Sequence, residues 1–414
     1  MAASLIYADI LLIGAGVASA RCARMLRRRG FAGSILLVGD ESALPYNRPP
    51  LSKELLRGEA PEELAAVEPP EWYGRHAVDV LTDVAASRLD VRDRSVQLSD
   101  GTMVRFGKCL IATGVEPRRL TVPGGEVVRT LRSMDDAVQI RAAARSAGEG
   151  ARAVVIGGGF IGVEVAASLA ALGLRVSVLE ARGGLWGGTL GEAISAWARG
   201  RLDEVGVQVR FGALIERIGP DGPVIGEEVL PAALTVAGVG VTPRTQIAEE
   251  AGLSVNDGVR LDETRAATEG IFAAGDIARV PHPLADGAGI RVEHWHAARE
   301  GGEMAALGML GEDVPAPRAP WVYSEFAGQM LDVVGWAPDR DEERVLGDPG
   351  TNRFAVAYLR GGRVAQLAIT NAFIPVDTAR SFIEARGHEG DLRQLIGAVR
   401  AGVMPASAHD PSPN

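Results

Sequence analysis

Cysteine is scarce: the chain of 414 residues has two, Cys22 and Cys109. Two thiols build no disulfide framework, and neither lies in a CxxC or Cys/His spacing that would hold zinc. So few thiols fit a reducing cytoplasm. Long apolar runs are also missing. The first candidate, Ile10 to Ala20, contains two glycines and stops at Arg21, short of the roughly 18 residues a membrane-spanning helix needs. The opening residues, MAASLIYAD, lack the positive flank of an export signal. Positive charge is in deficit as well, with 43 Lys and Arg against 53 Asp and Glu and a formal net charge of −10. A surface of that sign repels nucleic acid and anionic lipid on average. The remaining composition, 47% hydrophobic and 23% charged, is that of a packed chain of two or three domains. Glycine is what abounds, at 52 residues, where about 7% is the usual share. It is needed wherever backbone must approach a ligand or another backbone closely.

The glycines fall in a pattern. From Tyr7 the order is an apolar run (ADILLIG), a glycine turn, an apolar-periodic segment (VASARCARMLRRRG) closed by Gly30, and a second run, SILLVGDE. This predicts strand, turn, helix, strand, with strands apolar on both faces and hence a parallel sheet. From Ala151 the same order returns in RAVVIG, GGFIGVEVAASLAALG and LRVSVLEA. Each copy is followed by an apolar strand ending in glycine and then Pro-Arg, LIATGVEPR at Leu110 to Arg118 and TVAGVGVTPR at Thr235 to Arg244. A whole domain plan is repeated. Later, RAATEGIFAAGDIA (Arg265 to Ala278) reads as a strand closing on Gly275-Asp276. Beyond the PAPRAP linker, short alternating segments with a Gly361-Gly362 turn read as antiparallel strands.

Both glycine turns lie between a strand and a helix. In the first, Gly14, Gly16 and Ser19 form GxGxxS, with Asp40 and Glu41 ending the next strand. Such a turn aims free helix N–H groups at a pyrophosphate, and an acid about twenty residues on accepts from a ribose hydroxyl. In the second, Gly157, Gly159 and Gly162 complete GxGxxG around Phe160 and Ile161, with Glu180 ending the following strand. Two dinucleotide sites suggest one that stays bound and one that visits, a flavin and a nicotinamide. A carboxylate at Glu180 favours NADH over NADPH, whereas Arg182 nearby could accommodate a 2′-phosphate. The paired histidines of His294-Trp295-His296 have no third ligand at metal spacing and read as packing. The run Arg27, Arg28 and Arg29 reads as a solvated helix end, with docking of an acidic partner as the alternative.

Seven strings, in order, extend the pattern along nearly the whole chain: PYNRPPLSK (Pro45 to Lys53), LIATG (Leu110 to Gly114), GGGFIGVEVAAS (Gly157 to Ser168), GVGVTPRT (Gly238 to Thr245), IFAAGDIA (Ile271 to Ala278), RVEHWHAA (Arg291 to Ala298) and APWVYSE (Ala319 to Glu325). With them the chain resembles the FAD-dependent, NADH-using ferredoxin reductases of bacterial oxygenase systems, within the two-dinucleotide flavoprotein disulfide reductase superfamily. The resemblance implies an α/β fold with two Rossmann-like domains and a C-terminal α+β domain. It assigns residues 1–117 and 244–318 to an FAD domain, 118–243 to an inserted NAD domain, 319–402 to the C-terminal domain and 403–414 to a disordered tail. It places FAD contacts at Gly14, Gly16, Ala18, Asp40, Glu41, Arg48, Lys53, Val84, Ala112, Thr113, Gly114, Arg132, Gly275, Asp276 and Trp295. Lys53, near flavin N5 in the family, would pair with Glu164, and a cation there favours the charge that arrives with hydride.

Disulfide-reducing relatives carry a redox cysteine just after the first unit, but Glu41 to Lys53 contains none, so electrons are expected to leave the flavin directly. The implied activity is NADH oxidation with one-electron reduction of a [2Fe–2S] ferredoxin, by a cytoplasmic monomer or homodimer. Two other readings use the same NADH half-reaction: reduction of a small molecule such as a quinone, and NADH sensing through a charge-transfer complex. The sequence also departs from the family, with Asn47 in place of an acid, Tyr323 in place of tryptophan, Glu325 in place of aspartate, and RGGLWGG (Arg182 to Gly188) in place of the usual segment. Trp186 within it either shapes the nicotinamide entrance or caps a loop.

Overall fold

A computed structural model of the chain describes residues 5–400; the tail expected at 403–414 lies outside them. The described residues form two units. One is built from residues up to Asn47, Glu63–Glu116 and Thr242–Pro317, the other from Arg48–Glu62, Pro117–Val241 and residues from Arg318 on.

In the first unit, strand Leu5–Ile13 pairs in parallel with Ile35–Val38 on one side and Met103–Ile111 on the other. The outer strands are Val78–Leu81 beyond one flank, and Ile271–Ala273 then Ala266–Thr268 beyond the other. Alternate residues of the central strand enter two different cores: Leu11 and Ile13 pack with Leu36 and Val38, whereas Ile10 and Leu12 pack with Ile35 and Leu37. This two-sided burial is why the run is continuously apolar. Helix Val17–Arg28 follows the first glycine turn and buries Val17 to Ala23 and Leu26, packing chiefly against helix Trp295–Leu310. The segment expected as one strand before Gly275 is a hairpin, with Ala266–Thr268 antiparallel to Ile271–Ala273. The intervening Glu269-Gly270, with Gly270 at φ +77°, supplies a turn that breaks the apolar period.

The second unit holds a five-stranded parallel sheet in the order Gln208–Phe211, Arg175–Glu180, Arg152–Ile156, Leu234–Ala237, Arg129–Thr130. Helix Phe160–Ala171 is apolar almost throughout and buries seven of its residues. Helix Met134–Ala147 starts at a capping box in which Ser133 and Asp136 satisfy each other's backbone N–H groups. The unit also contains an antiparallel sheet, ordered Trp321–Phe326, Gln329–Gly335, Arg363–Thr370, Arg353–Arg360, Glu342–Asp348. Its Gly361-Gly362 turn has φ of +57° and +74°, the two left-handed positions of a two-residue hairpin. Among the described residues no helix is long and apolar enough to cross a membrane.

Candidate functional site

The repeat seen in the sequence is exact enough in space to explain its glycines. Gly14 and Gly157 both have φ +104°. A Cβ on Gly14 would stand 2.3 Å from the Ala112 carbonyl oxygen, and one on Gly157 would stand 2.4 Å from that of Gly238. Ala112 and Gly238 belong to the two echoed strand ends, so each echo is the floor under its glycine turn. The second glycine of each motif is different. Gly16 and Gly159 are helix N-caps with extended backbone, φ −106° and −81°, which any residue adopts. A Cβ on Gly16 meets nothing within 4 Å, and one on Gly159 only Gly238 oxygen at 3.9 Å. Neither backbone strain nor a protein neighbour demands glycine there. Open space before N–H groups that have no side-chain cap is the cradle an anion needs. The residues present therefore fit a pyrophosphate at each helix start. At the third position the copies diverge: a Cβ on Gly162 would lie 1.9 Å from Gly157 oxygen, while Ser19 is accommodated, buried and without a partner for its hydroxyl.

Around the first turn, Ala18 lines helix Val17–Arg28 and Val84 donates its N–H to Gly39 oxygen at 2.9 Å. Glu41 accepts from the Tyr46 hydroxyl at 2.5 Å. Asp40 pairs with Arg244 at 2.7 Å. Arg244 also ties down the LIATG end, its oxygen accepting from Thr113 Oγ1 and its N–H donating to Gly114 oxygen. Gly275 has φ +77° and is followed by Asp276, whose carbonyl accepts from Arg291. Trp295 opens the Trp295–Leu310 helix, and its indole N–H donates to Asn47 Oδ1 at 2.7 Å. Asn47 is in turn fixed by its own N–H to Ala65 oxygen at 2.7 Å. His294 caps that helix by accepting from His296 N–H, and His296 faces Glu300 at 3.5 Å. Among the described residues no group of His, Cys, Asp or Glu could hold a metal. Arg27 donates to the carbonyls of Phe31, Gly33, His76 and Ala77, whereas Arg28 and Arg29 are exposed, Arg29 in a pair with Glu312; one arginine of the run is built into the fold and two lie at a solvated helix end. Cys22 and Cys109 are fully buried, and burial pushes both thiols well above their ordinary range.

The second unit carries the other named residues. Glu180, ending its strand, accepts from Gly158 N–H at 2.7 Å and from Arg182 N–H at 2.8 Å, so the acid braces the glycine turn. Phe160 and Ile161 open the Phe160–Ala171 helix. Trp186 donates its main-chain N–H to Gly158 oxygen at 2.8 Å and packs its ring between Phe160 and Phe326, at centroid distances of 5.8 and 6.1 Å. Its indole N–H is buried without a partner, and its φ of +54° is rare for a bulky residue. Arg48 donates to Arg132 oxygen at 2.5 Å.

Lys53 and Glu164 meet as expected, with Nζ 2.9 Å from Oε2. The pair is 6% and 5% exposed. Glu164 Oε2 also accepts from Ser52 Oγ at 2.5 Å, and Oε1 accepts from Ser324 Oγ at 2.7 Å. An ammonium has three N–H groups; those of Lys53 reach Glu164 and, at 3.2 Å, Pro49 oxygen, which leaves one. Ser52, Ser324 and the Asn47–Trp295 bond were not anticipated as site features. Ser52 and Ser324 lie within the PPLSK and VYSE strings, but neither string states which hydroxyl meets which carboxylate 112 and 160 residues away.

Comparison with known proteins accords with this geometry. Residues 8–302 match the family model described as pyridine nucleotide-disulphide oxidoreductase. The chain is 36% identical over 413 residues to the ferredoxin reductase component of a chlorobenzene dioxygenase from Cupriavidus sp., covering 97% of this chain and 95% of the relative. It is 36% identical over 348 residues to the ferredoxin–NAD(+) reductase component of the biphenyl dioxygenase system of Paraburkholderia xenovorans, with 82% and 84% covered. Its fold matches the covalent putidaredoxin reductase–putidaredoxin complex with a TM-score of 0.87 and 30% identity, over 95% of this chain and 99% of that one. By its sequence, its repeated glycine turns and its fold, the chain belongs to the pyridine nucleotide-disulphide oxidoreductase family.

Proposed function

We propose that this protein is an FAD-dependent reductase that oxidises NADH and reduces a [2Fe–2S] ferredoxin serving an oxygenase. The observation that carries the reading is the pair of glycine N-caps, Gly16 and Gly159, each leaving space before a helix start that the protein itself does not fill. FAD supplies the hydride acceptor that can release electrons singly. In the first unit, Gly14, Gly16 and Ala18 would receive the FAD pyrophosphate, Asp40 and Glu41 its ribose, and Ala112 to Gly114, Val84, Gly275, Asp276 and Trp295 the rest of the cofactor. In the second, Gly157, Gly159, Phe160, Ile161 and Gly162 would receive the visiting dinucleotide. Glu180, whose carboxylate stands against Gly158, favours a free ribose hydroxyl over a phosphate, hence NADH. Arg48 and Arg132 would serve FAD acceptors, and Lys53 would present its remaining N–H to the flavin.

Neither cysteine can relay electrons, since both thiols are buried and their thiolates disfavoured. The acceptor is therefore external. The relatives named as reductase components of dioxygenase systems support a ferredoxin. The same buried, free cysteines support a cytoplasmic setting. Steady-state assays with NADH and a range of ferredoxins and quinones test the reading. Ferredoxin turnover exceeding quinone turnover is expected, and the reverse order would reassign the protein to small-molecule reduction.

A further inference from the structure

We infer that Ser324 is a positioning residue for the Lys53–Glu164 pair, and that through it the antiparallel sheet of the second unit sets where the Lys53 ammonium points. The inference rests on the proposed FAD chemistry and extends it to a residue that takes no part in binding either dinucleotide.

Glu164 is held at both oxygens. Oε2 is shared by Ser52 and Lys53, and Oε1 is taken by Ser324 alone. Ser324 is fully buried in strand Trp321–Phe326. A hydroxyl facing a carboxylate can only donate, so the bond is charge-assisted and directional. Its effect is to fix the carboxylate plane. Lys53 and Ser52, which both sit at the Pro49–Ser52 turn and its cap, must then converge on the single remaining oxygen.

With Ser324 removed, Oε1 becomes a buried acceptor without a partner. The carboxylate then lowers its energy by turning to share Lys53 and Ser52 between both oxygens. Nζ follows it, because its other bond, to Pro49 oxygen at 3.2 Å, is the longer. The third N–H of the ammonium, the one free for a flavin, is thereby re-aimed. The residue before Ser324 carries the same field: burial first, then the nearby Glu164 and Glu325 charges, hold the Tyr323 phenol protonated well above its ordinary range. Ser324 thus donates to Glu164 from a strand whose neighbouring hydroxyl cannot become an anion.

The test is a double-mutant cycle on the FAD-loaded protein, with Ser324→Ala, Glu164→Gln and the double variant, read by anaerobic flavin bleaching with NADH and by the flavin midpoint potential. Ser324→Ala is expected to slow bleaching roughly threefold to tenfold, part of what a lost charge-assisted hydrogen bond represents, and to lower the potential. In the Glu164→Gln background, where the Ser324 hydrogen bond persists without charge assistance, the same change should slow bleaching by no more than about twofold and shift the potential by less than half as much, because residues acting through one another are not additive. Ser324→Thr, which keeps the hydroxyl, should recover most of the rate. If the alanine variant does not load FAD, Ser324→Cys, close in size and a weak donor, takes its place in the cycle. Wild-type bleaching and potential in Ser324→Ala, or additive effects in the double variant, would overturn the inference. Lys53→Ala separates the two levels: if it bleaches like the wild type, the flavin role of the pair falls, whereas slow Lys53→Ala with normal Ser324→Ala removes Ser324 alone.

Discussion

Replacing Glu164 tests whether the three-donor cage around its carboxylate holds the second unit together. Glu164→Ala leaves the Lys53 ammonium and the hydroxyls of Ser52 and Ser324 without their shared acceptor. Lys53 retains only Pro49 oxygen. Breaking a buried ion pair by removing one partner costs about 3–5 kcal/mol, because the other charge is left uncompensated. Glu164→Gln is a milder change for a definite reason. Its amide oxygen can take the place of Oε2, and its NH2 group can face Ser324, whose hydroxyl turns round and accepts. What is lost is charge assistance, about 1–2 kcal/mol. In a unit of this size each kcal/mol moves the melting temperature by about 2–4 °C. The alanine variant should melt roughly 6–20 °C below the wild type, and the glutamine variant a few degrees below it. The assay is thermal unfolding followed by circular dichroism at a fixed scan rate, with FAD in excess. If both variants melt within 2 °C of the wild type, the cage does not carry the energy assigned to it; if glutamine is as damaging as alanine, the reversal of Ser324 does not occur.

Gly16→Ala should leave the melting temperature of the FAD-free protein unchanged or slightly raised, since its Cβ meets nothing within 4 Å, while FAD affinity measured by fluorescence falls at least tenfold; equal affinity would make Gly16 a structural residue. Asn47→Asp puts a charge next to the Trp295 indole N–H; for a charge within about 10 Å at an effective dielectric near 20, this opposes flavin reduction by about 1–2 kcal/mol, or about 20–45 mV for a two-electron couple. An unchanged potential in that variant would place Trp295 away from the flavin. Arg27→Ala, which removes donors to four carbonyls, should lower the melting temperature and leave the KM for ferredoxin unaltered; a raised KM with normal stability would restore a docking role.

The parallel sheets and their glycine turns were legible because period and punctuation are local signals. Continuous apolar strands, glycine at the left-handed positions 14 and 157, and acids after the next strand can each be read within thirty residues. The echo at Leu110 and Thr235 was visible as a pattern, but its purpose was not. Only in three dimensions does the carbonyl of Ala112 or Gly238 lie where a side chain on Gly14 or Gly157 would stand. The hairpin before Gly275 was missed because Ala266–Thr268 and Ile271–Ala273 are both short, apolar and separated by two residues. The hydroxyls on Glu164 and the Asn47–Trp295 bond were hidden for a different reason. Serine and asparagine gain such roles from partners brought together by chain reversals more than a hundred residues apart, and no spacing rule reports that. Arg27 shows the converse: within a charge run whose other two members, Arg28 and Arg29, are exposed, this one is engaged by backbone carbonyls.

The most direct measurement is anaerobic stopped-flow spectroscopy of the FAD-loaded protein, mixed first with NADH and then with an oxidised [2Fe–2S] ferredoxin. Rapid loss of the yellow flavin bands on the first mixing, and their return with reduction of the iron–sulfur chromophore on the second, is the predicted result. A flavin that stays oxidised with NADH, or one that is reduced and then holds its electrons in the presence of every ferredoxin offered, would contradict the account.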